Sequence, residues 1–194
     1  WTLLVYMMNL KIDKNKINVM KLENSLDDIN SVLNDLIDYL CLHIKNQIRA
    51  GADVVQIFDS WAGLLPEKYI NELCFLPNKK IVDFCKKIDV PVICFPKGIN
   101  HKYLDFNNIV KPNGLNLDYE IDPLWARKEL KNVVIQGGMD PKILLKSEEE
   151  IYNSAKKYLD IFKDVPYIFN LGHGLVPETN PDKLSKLIKF IRDY

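Results

Sequence analysis

Asp59, Ser60 and Trp61 follow directly on an apolar run, so a carboxylate, a hydroxyl and an aromatic arrive together. The run is Val54, Val55, Ile57 and Phe58, rich in β-branched residues and bounded by Gly51 and Gly63. That pattern predicts a strand covered on both faces, as in a parallel sheet. In a βα unit the loop after the strand's C-terminal end is where a ligand site is built. Asp59 reads two ways: a local carboxylate for chemistry, or a side chain that orients a neighbour or caps a turn. Ser60 can donate a hydrogen bond to a ligand, or cap a helix. No Gly-x-Ser-x-Gly elbow surrounds it, so a hydrolase nucleophile is not indicated.

His173 stands between Gly172 and Gly174, right after the apolar segment "VPYIF". Flanking glycines permit close backbone approach, and an imidazole there suits proton transfer or hydrogen bonding near neutral pH. Tyr6 lies near the end of "WTLLVYMM", Lys97 at the end of "VPVICFPKG", and Gly137–Gly138 form a turn after "NVVIQ".

These residues need elements to position them. "WTLLVYMM" reads as a strand, and Lys11 to Asn18 as a loop. Ile29, Val32, Leu33, Leu36, Leu40, Ile44 and Ile48 recur at helical spacing, with Ser31 as the cap at the start and Gly51 past the end. His43 is an ordinary residue of that helix. Strand Val54–Phe58 is followed by helical stretches at Glu67–Cys74 and Asn78–Lys87, then by strand Val90–Gly98, with His101 in a loop. A strand over Leu115–Leu117 ends in Asp118. Asp122–Pro123 supplies an N-cap and N1 proline for a helix through Leu130. Strand Val133–Gln136 precedes the glycine turn and a short helix opened by Asp140–Pro141. Ser147–Glu150 is a capping box for a helix burying Ile151, Ala155, Tyr158, Leu159 and Phe162. Asn180–Pro181 opens the last helix, with Leu184, Leu187, Ile188 and Ile191 inward.

About six strand–helix alternations imply an α/β protein with a parallel sheet, doubly wound or closed as a barrel. The length, 194 residues, fits one domain over 1–194. Lys plus Arg and Asp plus Glu both number 26, so the basic footprint of a nucleic-acid binder is absent. No apolar run approaches the ~20 residues of a membrane span. Cys41, Cys74, Cys85 and Cys94 show no zinc spacing and read as reduced structural thiols of a cytosolic protein.

Four stretches, in order, resemble the uroporphyrinogen decarboxylase family: "WTLLVYMM", "QIFDSWAGLL", "VVIQGGMDPKILL" and "YIFNLGHGLVPETNP". The resemblance implies a (β/α)8 TIM barrel, here an incomplete later portion of about six βα units. It implies cofactor-free, metal-free decarboxylation of the four acetates of uroporphyrinogen III to coproporphyrinogen III, in haem biosynthesis. It assigns Tyr6, Ser60 and His173 catalytic and substrate-binding roles and Phe58 a place in the pocket wall. It also implies a cytoplasmic homodimer whose partner molecule is the porphyrinogen. The family has a Gly-rich loop after the tyrosine where this chain has "NLKID", and often Asn where this chain has Gly138. Its essential aspartate and arginine-bearing loop match no residue here, and the start at Trp1 suggests an upstream part. Two other readings stay open: a truncated, inactive member that binds porphyrinogen or a partner, and a corrinoid-linked methyltransferase of the same superfamily. The latter needs a His-x-Cys zinc step, and none of His43, His101 or His173 offers one.

Overall fold

The computed structural model describes residues 1–13 and 15–194. They divide into two compact units, Trp1–Leu115 and Asn116–Tyr194.

The first unit opens with a helix, α1 (Thr2–Met7), where a strand was expected. Leu4 and Val5 are buried while Leu3, Tyr6 and Met7 are exposed, a helical rather than an alternating pattern. A short apolar run has no periodicity that separates the two states, and tertiary hydrogen bonds decide it here. Within the predicted loop, β1 (Lys11–Asp13) and β2 (Lys16–Ile17) pair antiparallel. Lys14, part of that predicted loop, lies outside the described residues. A short α2 (Val19–Asn24) leads into the long α3 (Leu26–Arg49). This helix starts after Ser25, so Ser31 lies within it and does not cap it. Ile29, Leu33, Ile37 and Ile44 form its buried stripe.

Strand β3 (Val55–Phe58) pairs in parallel with β4 (Val92–Phe95), and β4 pairs with the first half of β5 (Gly114–Leu117). Strand β3 is not covered on both faces: Val54 and Phe58 are exposed and only Val55 of the strand is fully buried. Between β3 and β4 the two expected helical stretches are one continuous helical segment. It runs as α4 (Glu67–Ile70), a wide π-turn over Asn71–Phe75, and α5 (Leu76–Lys87). The extra residue in the π-turn leaves Leu73, Cys74 and Phe75 all buried. His101 sits in a 3-10 turn, Asn100–Lys102, leading into α6 (Tyr103–Val110) rather than in a loop.

The loops after β3 and β4 meet backbone to backbone. Gly63 N–H donates to the Lys97 carbonyl at 2.9 Å, and Lys97 N–H to the Asp59 carbonyl at 3.2 Å. A Cβ on Gly63 would lie 2.3 Å from the Gly98 carbonyl oxygen, so only glycine fits this contact.

The second unit continues from the end of β5 into α7 (Pro123–Glu129), with Asp122 capping the Leu124 N–H as its sequence suggests. Strand β6 (Val134–Gly137) pairs in parallel with β7 (Tyr167–Ile168). Between them stand a 3-10 turn, Pro141–Leu145, capped by Asp140, and α8 (Glu148–Phe162), whose Ser147–Glu150 capping box is complete. The last helix is α9 (Pro181–Asp193), on which only Leu187 is buried and Ile188 is 42% exposed. The expected inward row of Leu184, Ile188 and Ile191 instead lines an open groove with Phe169, Leu171 and Leu175.

Among the described residues the parallel strands thus number five, not six, because Thr2–Met7 is helical. This is an α/β architecture, and a complete barrel is not present over these residues. Among the described residues no helix is long and apolar enough to cross a membrane.

Candidate functional site

In the first unit the candidates sit where β3 and β4 end. Asp59 is 2% exposed and turns inward. Its carboxylate accepts from the Trp1 nitrogen (3.2 Å), Thr2 N–H (2.9 Å), Thr2 Oγ1 (2.7 Å) and Asn78 Nδ2 (3.2 Å), with Cys74 Sγ at 3.5 Å. The N-terminus of α1 carries unsatisfied N–H groups, and Asp59 satisfies them from a distant loop. Of its two sequence readings, these hydrogen bonds fit the positioning one. Burial pushes the Asp59 carboxyl up, but the Trp1 amine and the Thr2 hydroxyl and amide outweigh it and hold it below the usual carboxylate range. Burial beside this carboxylate in turn pushes the Cys74 and Cys94 thiols up, so both are protonated, unreactive sulfurs near neutral pH.

The same contacts place the neighbouring loop. Thr2 Oγ1 accepts from Trp61 N–H at 3.0 Å, and Trp1 Nε1 donates to the Trp61 carbonyl at 3.1 Å. Ser60 is held, half-buried, between these two anchored residues. Tyr6, on α1, sets its ring edge-on against Trp61 at 5.5 Å between centroids. Tyr6 and the Ser60 loop are therefore brought together, by a helix and not by a strand end. Phe58 does not join them. The strand's alternation sends it to the face opposite Asp59, where it packs on Phe95 at 6.0 Å and is 62% exposed. Lys11 was not singled out by sequence, yet its ammonium lies 5.8 Å from the Tyr6 ring and 5.3 Å from the Trp61 ring.

In the second unit the loops after β5, β6 and β7 gather Asp118, Tyr119, the glycine pair and His173. Gly137 and Gly138 have φ of +78° and +100°, a conformation glycine adopts without strain. The carbonyls of this turn accept from the half-buried phenol of Tyr167 (Gly137, 2.8 Å) and the buried phenol of Tyr158 (Gly138, 2.7 Å). Burial raises both phenols, Tyr158 to about 12, so they stay protonated donors. Sequence spacing put Tyr158 on the buried face of α8. A buried phenol needs a polar partner, which was the available signal for this bond. Beneath the turn the buried Gln136 Nε2 donates to the buried Asn116 Oδ1 at 2.7 Å.

Gly172 is buried, and a Cβ there would lie 2.4 Å from the Tyr119 backbone nitrogen. The loop after β7 therefore rides directly on the loop after β5, as the flanking glycines suggested. Gly174 has open space around it instead. His173 between them is exposed, and its Nδ1 accepts from Gly174 N–H at 2.6 Å. With Nδ1 an acceptor, a neutral ring carries its proton on Nε2. His173 stands at the rim of the apolar groove of about 430 Å³ that the inner face of α9 lines.

The uroporphyrinogen decarboxylase (URO-D) family model matches residues 1–194. The uroporphyrinogen decarboxylase of Rickettsia bellii (strain RML369-C) is 37% identical over 202 residues, covering 100% of this chain and 58% of its own length. That of Orientia tsutsugamushi (strain Boryong) is 35% identical over 198 residues, with 100% and 58% covered. That of Wolbachia pipientis wMel is 31% identical over 196 residues, with 100% and 57% covered. The chain spans a little over half the length of these curated relatives. With the match extending over every residue, through both the Asp59–Trp61 loop and the His173 loop, this chain belongs to the uroporphyrinogen decarboxylase family.

Proposed function

We propose that the protein containing these residues decarboxylates uroporphyrinogen III, turning its four acetate arms into methyls and giving coproporphyrinogen III. The family match over 1–194 carries this reading. At each arm the C–CO2 bond breaks and its electron pair stays on the methylene carbon. A protonated pyrrole accepts the pair, and a proton delivered to the carbon completes the methyl group. The protein must bind anionic arms, stabilise a ring cation and deliver protons. Tyr6 and Ser60 are proposed as hydrogen-bond donors to substrate carboxylates, Phe58 as a wall on the face of β3 away from Asp59, and His173 as a donor through Nε2. Asp59 is committed to holding α1, so the carboxylate that steadies the ring cation is proposed to come from outside 1–194. On this reading residues 1–194 are the later part of a (β/α)8 barrel that works as a homodimer.

The test is anaerobic incubation of the native polypeptide with uroporphyrinogen III, with products separated by carboxylate number. Stepwise loss to the coproporphyrinogen level is expected, and an unchanged substrate pool refutes the proposal. In the active protein, His173→Asn removes the Nε2 donor and is expected to lower kcat/KM about a hundredfold, within the roughly 1.5–3 kcal/mol of a hydrogen bond to a charged group. Turnover equal to wild type would remove His173 from the site.

A further inference from the structure

We propose that Lys11 is a substrate-carboxylate-binding residue, a cation that this chain adds beside Tyr6 and Ser60. The proposal rests on the decarboxylase reading above and names a further contact for its anionic substrate. Lys11 opens β1, the strand after α1, in the stretch "NLKID". Its backbone is exposed and paired with Ile17 of β2, which fixes where the side chain starts. Its ammonium then lies within cation–π range of two rings, 5.8 Å from Tyr6 and 5.3 Å from Trp61. A long, flexible cation is thereby held at one spot in solvent rather than spread over many rotamers.

The ion-pair pattern supports a ligand role. Elsewhere in the unit, three lysines pair with carboxylates, Lys68 on Glu23, Lys79 on Asp83 and Lys102 on Glu67, and Lys21, Lys80 and Lys86 settle on amide or backbone oxygens. Among the described residues no carboxylate pairs with Lys11. It rests on aromatic faces, which hold an ammonium without neutralising it, so its charge remains available to an anion. The spot is the right one: Trp61 follows Ser60, and Tyr6 is the other proposed carboxylate donor. The cation thus lies against Tyr6 and against Trp61, the residue next to Ser60, and a cation beside two neutral donors suits an anionic arm rather than a neutral ligand.

The experiment compares wild type, Lys11→Met and Lys11→Arg in the native polypeptide. It measures steady-state turnover of uroporphyrinogen III and fluorescence-monitored binding of uroporphyrin at several salt concentrations. Lys11→Met keeps the aliphatic stem and is expected to raise KM and the uroporphyrin Kd about fivefold, the size of an exposed ion pair. Thermal stability and kcat are expected to stay near wild type. The salt dependence of Kd should flatten in Lys11→Met, since one ionic contact is gone, and Lys11→Arg should restore both readouts. Wild-type turnover with an unchanged KM and salt slope in Lys11→Met overturns this inference and leaves the decarboxylase reading intact. A wild-type protein that neither binds nor turns over refutes that reading and this inference with it.

Discussion

Replacing Asp59 by alanine is expected to destabilise the protein by about 3 kcal/mol, because several buried donors lose a charged acceptor at once. Thr2 N–H, Thr2 Oγ1, Asn78 Nδ2 and the Trp1 nitrogen all converge on this carboxylate. Hydrogen bonds to a charged group contribute roughly 1.5–3 kcal/mol each, and their sum is not additive, so 3 kcal/mol is a moderate expectation. For a chain of this size the drop corresponds to a Tm lower by roughly 6–12 °C. Asp59→Asn is expected to fall between, since it keeps one acceptor for Thr2 but turns an NH2 toward the Asn78 amide. A loss under about 1 kcal/mol in Asp59→Ala would show that α1 does not depend on this side chain. With a free amine at Trp1 the pH dependence has a definite sign. The folded carboxyl is held below its unfolded value, so the unfolded state takes up its proton first as pH falls. Its contribution is therefore complete above the unfolded value of about 4 and disappears below it, as pH passes through the lower folded value. In Asp59→Ala that acid-side loss should be missing.

Gly172→Ala is expected to reduce stability by about 3 kcal/mol and turnover by about a hundredfold. The added methyl would sit 2.4 Å from Tyr119 N and 2.8 Å from the Asp118 carbonyl carbon, both backbone atoms with no rotamer to yield. The loop must lift off, and His173, the next residue, moves with it. A displacement near 1 Å is enough for a loss of about 10²-fold in a positioned site. Gly174→Ala is the matched control: nothing lies within 4 Å of its added Cβ. That change is expected to stay within about 0.5 kcal/mol of wild type. Equal behaviour of the two variants would mean the loop after β7 is not seated as described.

The elements legible in the sequence are those whose signal is local. Asp122–Pro123 and the Ser147–Glu150 box announce helix starts because the capping side chain bonds a backbone group two or three residues away. The helix at residues 2–7 was not legible, because what makes it a helix is Asp59, fifty-seven residues along the chain from Thr2. The π-turn at Asn71–Phe75 was illegible for a related reason. It aligns Cys74 and Asn78 on the same distant carboxylate, and no local period records that. Of the proposed site, the residue types at strand ends were visible, and His173 was visible from its glycines. The inward turn of Asp59 and the perch of Lys11 depend on contacts across the fold, so residue types alone left Asp59 open and passed over Lys11.

The backbone contact between Gly63 and Gly98 has a mechanical meaning. Two loops act as separate fingers only when their backbones can slide apart. Here the N–H of Gly63 and the N–H of Lys97 stitch the two loops from both sides, and the missing side chains let the main chains touch. A displacement of the Ser60 loop is therefore passed to Lys97 through these bonds. The edge of the first unit is built as a single jaw rather than as two fingers.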